Sequence, residues 1–149
     1  GRINNSKYVI QLEELISSFG LNDKVIITGE VNRSEYVDYL VNSFCFIVGK
    51  TNSSIHSNLP SSKVIEYLFT KNPMILSKYD GYNELLTDNK DVLFVDSSDS
   101  KDIADKFLFL LNNTEQAKII GENAYKTAFD LFDYKKHAIQ IISFFNSCN

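Results

Sequence analysis

Residues 58–77 read NLPSSKVIEYLFTKNPMILS. A turn carrying Pro60 leads into a helical pattern, for which Ser61 or Ser62 supplies the cap. Val64, Ile65, Leu68 and Phe69 fall on one side of that helix, and Lys63, Glu66 and Thr70 form the opposite stripe. Asn72–Pro73 stops the helix, and PMILS follows as a strand. Upstream lies another apolar run, FCFIVG, without the alternation of a half-exposed strand. A strand that is apolar on both faces belongs in a parallel sheet with helices on each side.

The same alternation extends outward. SKYVIQLEELISSFG places Tyr8, Leu12, Leu15, Ile16 and Phe19 on a helical stripe, and Gly20 suits its C-terminal cap. DKVIITG then reads as a strand over Val25–Thr28. NRSEYVDYLVNS reads as a helix with Tyr36, Val37, Leu40 and Val41 inward. After PMILS, KYDGYNELLTD reads as a turn and short helix, and DVLFVD as a strand. From Ser98 on the pattern is helical: DSKDIADKFLFLLNN, TEQAKIIGENAYKTAFD and YKKHAIQIISFFNS. Strands alternating with helices predict an α/β, Rossmann-like, doubly wound parallel sheet ending in C-terminal helices. At 149 residues the expectation is one domain over 1–149.

Composition narrows the function. A net charge of −4 with interspersed acids and bases gives no footprint for nucleic acid. No apolar run reaches the ~20 residues of a membrane span, and GRINNSKYVIQ lacks the apolar core of a signal peptide. The two cysteines, Cys45 in an apolar strand and Cys148 near the chain end, form neither a disulfide framework nor a zinc spacing. This predicts a reducing, cytoplasmic setting.

In open parallel sheets ligands bind beyond the carboxyl ends of the strands. Three loops leave such ends: Gly29–Arg33, Gly49–Ser61 and Ser77–Asn83. The second is long and rich in hydroxyls and amides, and it runs into a helix whose first turn carries Lys63. Helix amides and a lysine favour an anion. Glu66, one turn along, suits a vicinal diol such as ribose, whose hydroxyls donate to its oxygens. Phosphate and ribose together describe a nucleoside diphosphate. The bland alternative is a surface i, i+3 pair contributing a few tenths of a kcal/mol. In the third loop Gly81 is a turn glycine, with Asn83 and Glu84 at a helix start. Those amides suit another part of such a ligand, or a plain cap. Arg33 is placed to reach a phosphate or to stand as a solvated charge at a helix start, the second reading being preferred; His56 reads as a ligand contact or, in preference, a solvated loop residue, and His137 as a surface residue. No triad, metal cluster, P-loop or G-x-G-x-x-G pattern occurs.

With these residues in view, the chain resembles the C-terminal half of a GT-B retaining glycosyltransferase of group 1, family 4. LNDKVIITGEVNRSEYVDYLVNS, FCFIVGKTNSS and DGYNELLTDNKDVLFVDSSDSKDIADKFLFLL follow that family's order of segments. PSSKVIEYLFTKNPMI is similar to its donor-site helix. The resemblance implies a transferase of hexosyl type moving a sugar from a nucleotide sugar to a glycan or lipid-linked acceptor, as in polysaccharide biosynthesis. It implies no metal or other cofactor. Glu66 would take the second place of an E-x7-E motif and hold the donor ribose. Lys63 and the amides around Ser62 would lie near the diphosphate, and Gly81 and Glu84 in the turn beneath the donor. The first place of the motif is Asn58, whose amide can bind a sugar hydroxyl but cannot offset anomeric positive charge. No catalytic residue is assigned.

The resemblance also implies a missing N-terminal acceptor domain, so that this chain, as a trimmed part, would be inactive alone. By the same resemblance, two further strands and an Arg–Lys diphosphate clamp are expected to precede this stretch. In that fold the missing strands lie between the counterparts of Val25–Thr28 and Phe44–Val48. Their loss would bare apolar edges. The expectation is that these two strands close up, or that another chain fills the gap, giving a homo-oligomer. For the full enzyme the expectations include peripheral membrane association. The reading from another class is a non-catalytic Rossmann-like interaction module, using FLFLL or IISFF as a docking face.

Overall fold

A computed structural model describes residues 6–49, 61–78 and 81–148, with the side chain of Ser6 excepted. Asn58 and His56 lie outside the described residues. The chain divides into two compact units, Gly1–Val41 and Asn42–Asn149.

In the first unit, α1 (Ser6–Ser18) ends as its sequence predicts. Gly20 adopts φ 64°, which lets its N–H donate to the Ser17 carbonyl and that of Leu21 to Ile16, a Schellman closure. α2 (Arg33–Asn42) opens with a reciprocal capping box. The Asn32 N–H donates to Glu35 Oε2 at 2.9 Å, and the Glu35 N–H donates to Asn32 Oδ1 at 3.0 Å.

The expected strand over Val25–Thr28 does not form. Ile26 is 77% exposed. An apolar β-branched run becomes a strand only where a partner edge takes its N–H and C=O groups. None of the described residues of this unit is buried; Tyr8, Leu12 and Leu15 are exposed along α1, and Phe19 just past its end.

The second unit is built on a parallel sheet of three strands, β1 (Phe46–Val48), β2 (Met74–Ser77) and β3 (Leu93–Val95), in the order β1-β2-β3. Phe46 pairs with Met74, and Ile75 with Leu93. Among the described residues four helices accompany it: α3 (Ser62–Leu68), α4 (Ser100–Asn112), α5 (Thr114–Phe132) and α6 (Tyr134–Ser147). The fold is α/β and Rossmann-like, as the alternation predicts.

Strand alternation divides the core. Met74 and Leu76 of β2 and Phe94 of β3 point to one face, where Val64 and Leu68 of α3 cover them. Ile75, Leu93 and Val95 point to the other, against Leu110 of α4. α5 serves both clusters, with Ala117 and Ile120 in one and Ala124 and Ala128 in the other. Every residue of β2 and β3 is buried. β1 departs from the expectation of two covered faces, because Ile47 is 51% exposed.

α3 ends before Asn72–Pro73. Thr70 Oγ1 donates to the Tyr67 carbonyl at 2.7 Å, and Lys71 follows with φ 65°. The carbonyl of Lys71 lies beneath Gly121 of α5, where an added Cβ would stand 1.9 Å from it. Only glycine permits this approach of helix to turn. The Lys71 ammonium rests 4.8 Å from the centroid of the Tyr125 ring, a cation–π contact.

α4 is capped by Asp99, which accepts from the N–H groups of Lys101 and Asp102. Before β3, Asp91 is buried and accepts from the Thr127 hydroxyl and the Thr87 N–H, each at 2.9 Å. The turn into the last strand is thereby tied to α5.

Candidate functional site

The carboxyl ends of the three parallel strands share one end of the sheet. Lys78 leaves β2 there, its N–H extending the ladder to the Val95 carbonyl at 2.9 Å. Gly81 sits at φ 100°, a conformation that side-chain-bearing residues rarely adopt. The N–H groups of Leu85 and Leu86 both return to the Tyr82 carbonyl, at 3.0 and 2.8 Å. Residues 81–85 are therefore a turn, not the short helix that the sequence suggests. A single closed turn with glycine at its head does not meet the cost of helix nucleation.

The residue that organises this end is one the sequence reading passed over. Tyr82 is fully buried, within the cluster that includes Val64 and Leu68. Its hydroxyl donates to the carbonyl of Ser61 at 2.9 Å. Ser61 is the N-cap residue of α3, though its own side chain makes no capping hydrogen bond. The 81–85 turn is thus fastened to the start of the helix that carries Ser62, Lys63 and Glu66. The signal for Tyr82 was available, since a tyrosine between a turn glycine and an apolar pair, once buried, must place its hydroxyl on an acceptor.

The predicted residues fall as follows. Ser62, Lys63 and Glu66 are exposed on α3, away from the buried Val64 and Leu68. Gly81 heads the turn, and Glu84 is exposed on it. Arg33 is the exposed first residue of α2, in the other unit. His137 is exposed on α6, with Nε2 2.6 Å from the Leu131 carbonyl oxygen. Beside the turn, Lys78, Asn83, Thr87 and Asp88 line a cavity of about 400 Å³ whose apolar wall is Leu86 and Phe94. Asp88 helps shape it, accepting from the Phe94 N–H at 2.8 Å and the Asn89 N–H at 3.0 Å. Below the end of β3, hydrogen bonds from the N–H and hydroxyl of Ser98, then the charge of Lys78, hold the Asp96 carboxyl below its usual range.

Among the described residues no group of three or more His, Cys, Asp or Glu side chains could hold a metal ion. No described helix is long and apolar enough to cross a membrane. α6 has no buried residue, and Ile139, Ile142, Phe144 and Phe145 are exposed along it.

Residues 1–127 match the family Glycosyl transferases group 1. The chain belongs to that family. A search of the curated proteins finds no match. Among solved structures, this group 1 glycosyltransferase chain is similar to Anabaena HepE in complex with UDP, at 20% identity and TM-score 0.82, over 97% of this chain and 38% of that one. It is also similar to the sucrose-phosphate synthase of Thermosynechococcus elongatus, at 19% identity and TM-score 0.76, over 93% of this chain and 33% of that one. The third likeness is to the C-terminal domain of the glycosyl transferase group 1 family protein LpcC from Francisella tularensis, at 19% identity and TM-score 0.74. It covers 87% of this chain and 65% of that one. The group 1 chain spans little more than a third of the length of HepE. At these identities the structural likenesses establish a shared fold.

Proposed function

We propose that this chain is the donor-binding, C-terminal part of a retaining glycosyltransferase of family 4, built on the GT-B plan. The observation that carries the reading is the Tyr82–Ser61 hydrogen bond, because it joins the two segments in which the site residues lie. Glu66 holds the ribose hydroxyls of the donor. Lys63, with the amides around Ser62, takes the diphosphate. Gly81 and Glu84 lie beneath the donor, and Asn58 takes a hydroxyl of the sugar. Charge on the departing nucleotide is met by cations and oriented amides, a form of transition-state stabilisation that requires no metal. Solved structures of HepE hold UDP and UDP-glucose, which supports a UDP sugar as the first donor to try. The acceptor side belongs to the remainder of a longer enzyme, so this chain binds donor without transferring it. A cytoplasmic setting, with a glycan or lipid-linked acceptor presented by the full enzyme, completes the proposal.

A second reading has its own observation. The exposed apolar residues of α6 suit a protein partner, as in a non-catalytic interaction module. Titration of the isotope-labelled chain with UDP-glucose, GDP and ADP sugars separates the two. The donor-site reading expects saturable amide shifts at 61–66 and 78–84. Shifts confined to other residues, or none with any nucleotide sugar, reject it and leave the module.

A further inference from the structure

We draw no further inference here: the strongest candidate, the exposed apolar face of α6 with Ile139, Ile142, Phe144 and Phe145, carries nothing, because nothing in the structure shows what covers it.

Discussion

The hydroxyl of Tyr82 donates to the backbone carbonyl of Ser61 at 2.9 Å, across 21 residues of sequence. Through that bond the buried ring fixes the start of α3 relative to the turn that begins at Gly81. Tyr82→Phe keeps the ring in the core and removes only the donor. A loss of about 1 kcal/mol in unfolding free energy is expected, typical of one hydrogen bond. Under the donor-site proposal the same change loosens Ser62 and Lys63 and weakens nucleotide-sugar binding. Chemical denaturation and calorimetric titration of the variant check both effects. An unaltered denaturation midpoint would show that the bond contributes nothing.

Gly121 of α5 leaves no room for a methyl group. In an exposed helix, Gly→Ala stabilises by up to ~1 kcal/mol. Here the added carbon would stand 1.9 Å from the Lys71 carbonyl oxygen and 2.7 Å from its carbon, both backbone atoms. A backbone cannot rotate away as a side chain can. Gly121→Ala is expected to destabilise by about 1–3 kcal/mol or more despite its better helix propensity. A rise in denaturation midpoint would contradict the packing described.

Much of this fold is legible in the sequence, for physical reasons that differ by element. MILS and LFV read as buried parallel strands because both faces are apolar, and both are buried. Gly20 reads as a helix C-terminal cap and Gly81 as a turn glycine, and both take positive φ. The run VIIT misleads. Its local propensity is that of a strand, but a strand also needs a pairing edge, which propensity does not report. α6 misleads in another way. An amphipathic pattern says that a face is apolar, not that this chain covers it. Of the site, the stripe Lys63–Glu66 is visible from helical spacing. Tyr82 is legible only as a ring whose hydroxyl needs an acceptor; that the acceptor is the Ser61 carbonyl is fixed by tertiary folding. Asn58 lies outside the described residues, so its place in the site stands on the resemblance.

Asp91 and Thr127 provide a separate test of the tertiary frame. The carboxylate is 1% exposed, and its oxygens accept from the Thr127 hydroxyl and the Thr87 N–H. Thr127→Val preserves shape and deletes one donor to a buried acceptor. A loss of about 1–3 kcal/mol is expected, because the carboxylate is left short of a partner in a dry site. Thr127→Ser, which restores the hydroxyl, should recover much of it. If Val and Ser prove equally stable, the hydrogen bond is not what ties this turn to α5.

The cysteines should separate by pH and by accessibility. Burial pushes the Cys45 thiol up to about 11 from an ordinary 9.0, whereas Cys148 is exposed. The folded protein therefore binds a proton at Cys45 that the unfolded chain releases between these values. Stability from this group is complete below pH 9.0 and falls as the pH rises through about 11. At pH 8, iodoacetamide should modify Cys148 first and the half-buried Cys45 more slowly, because the thiolate is the reactive form. Mass spectrometry of the time course decides. Equal rates at both sites would mean that Cys45 is not sheltered.

Glu66 separates a binding role from a structural one. It is exposed on α3, so Glu66→Ala should alter stability by no more than about 0.5 kcal/mol. If its carboxylate receives the ribose hydroxyls, however, the same change removes charge-assisted hydrogen bonds, each contributing about 1.5–3 kcal/mol. Binding of UDP-glucose should then fall by tenfold or more. Glu66→Gln keeps the size and one acceptor oxygen, and should fall between. Titration of UDP-glucose alongside 2′-deoxy- and 3′-deoxy-UDP-glucose places the contact, because removing the hydroxyl that Glu66 holds should cost the wild type affinity and the Ala variant almost none. Equal losses in both proteins would remove Glu66 from the site while leaving the fold, and the family, untouched.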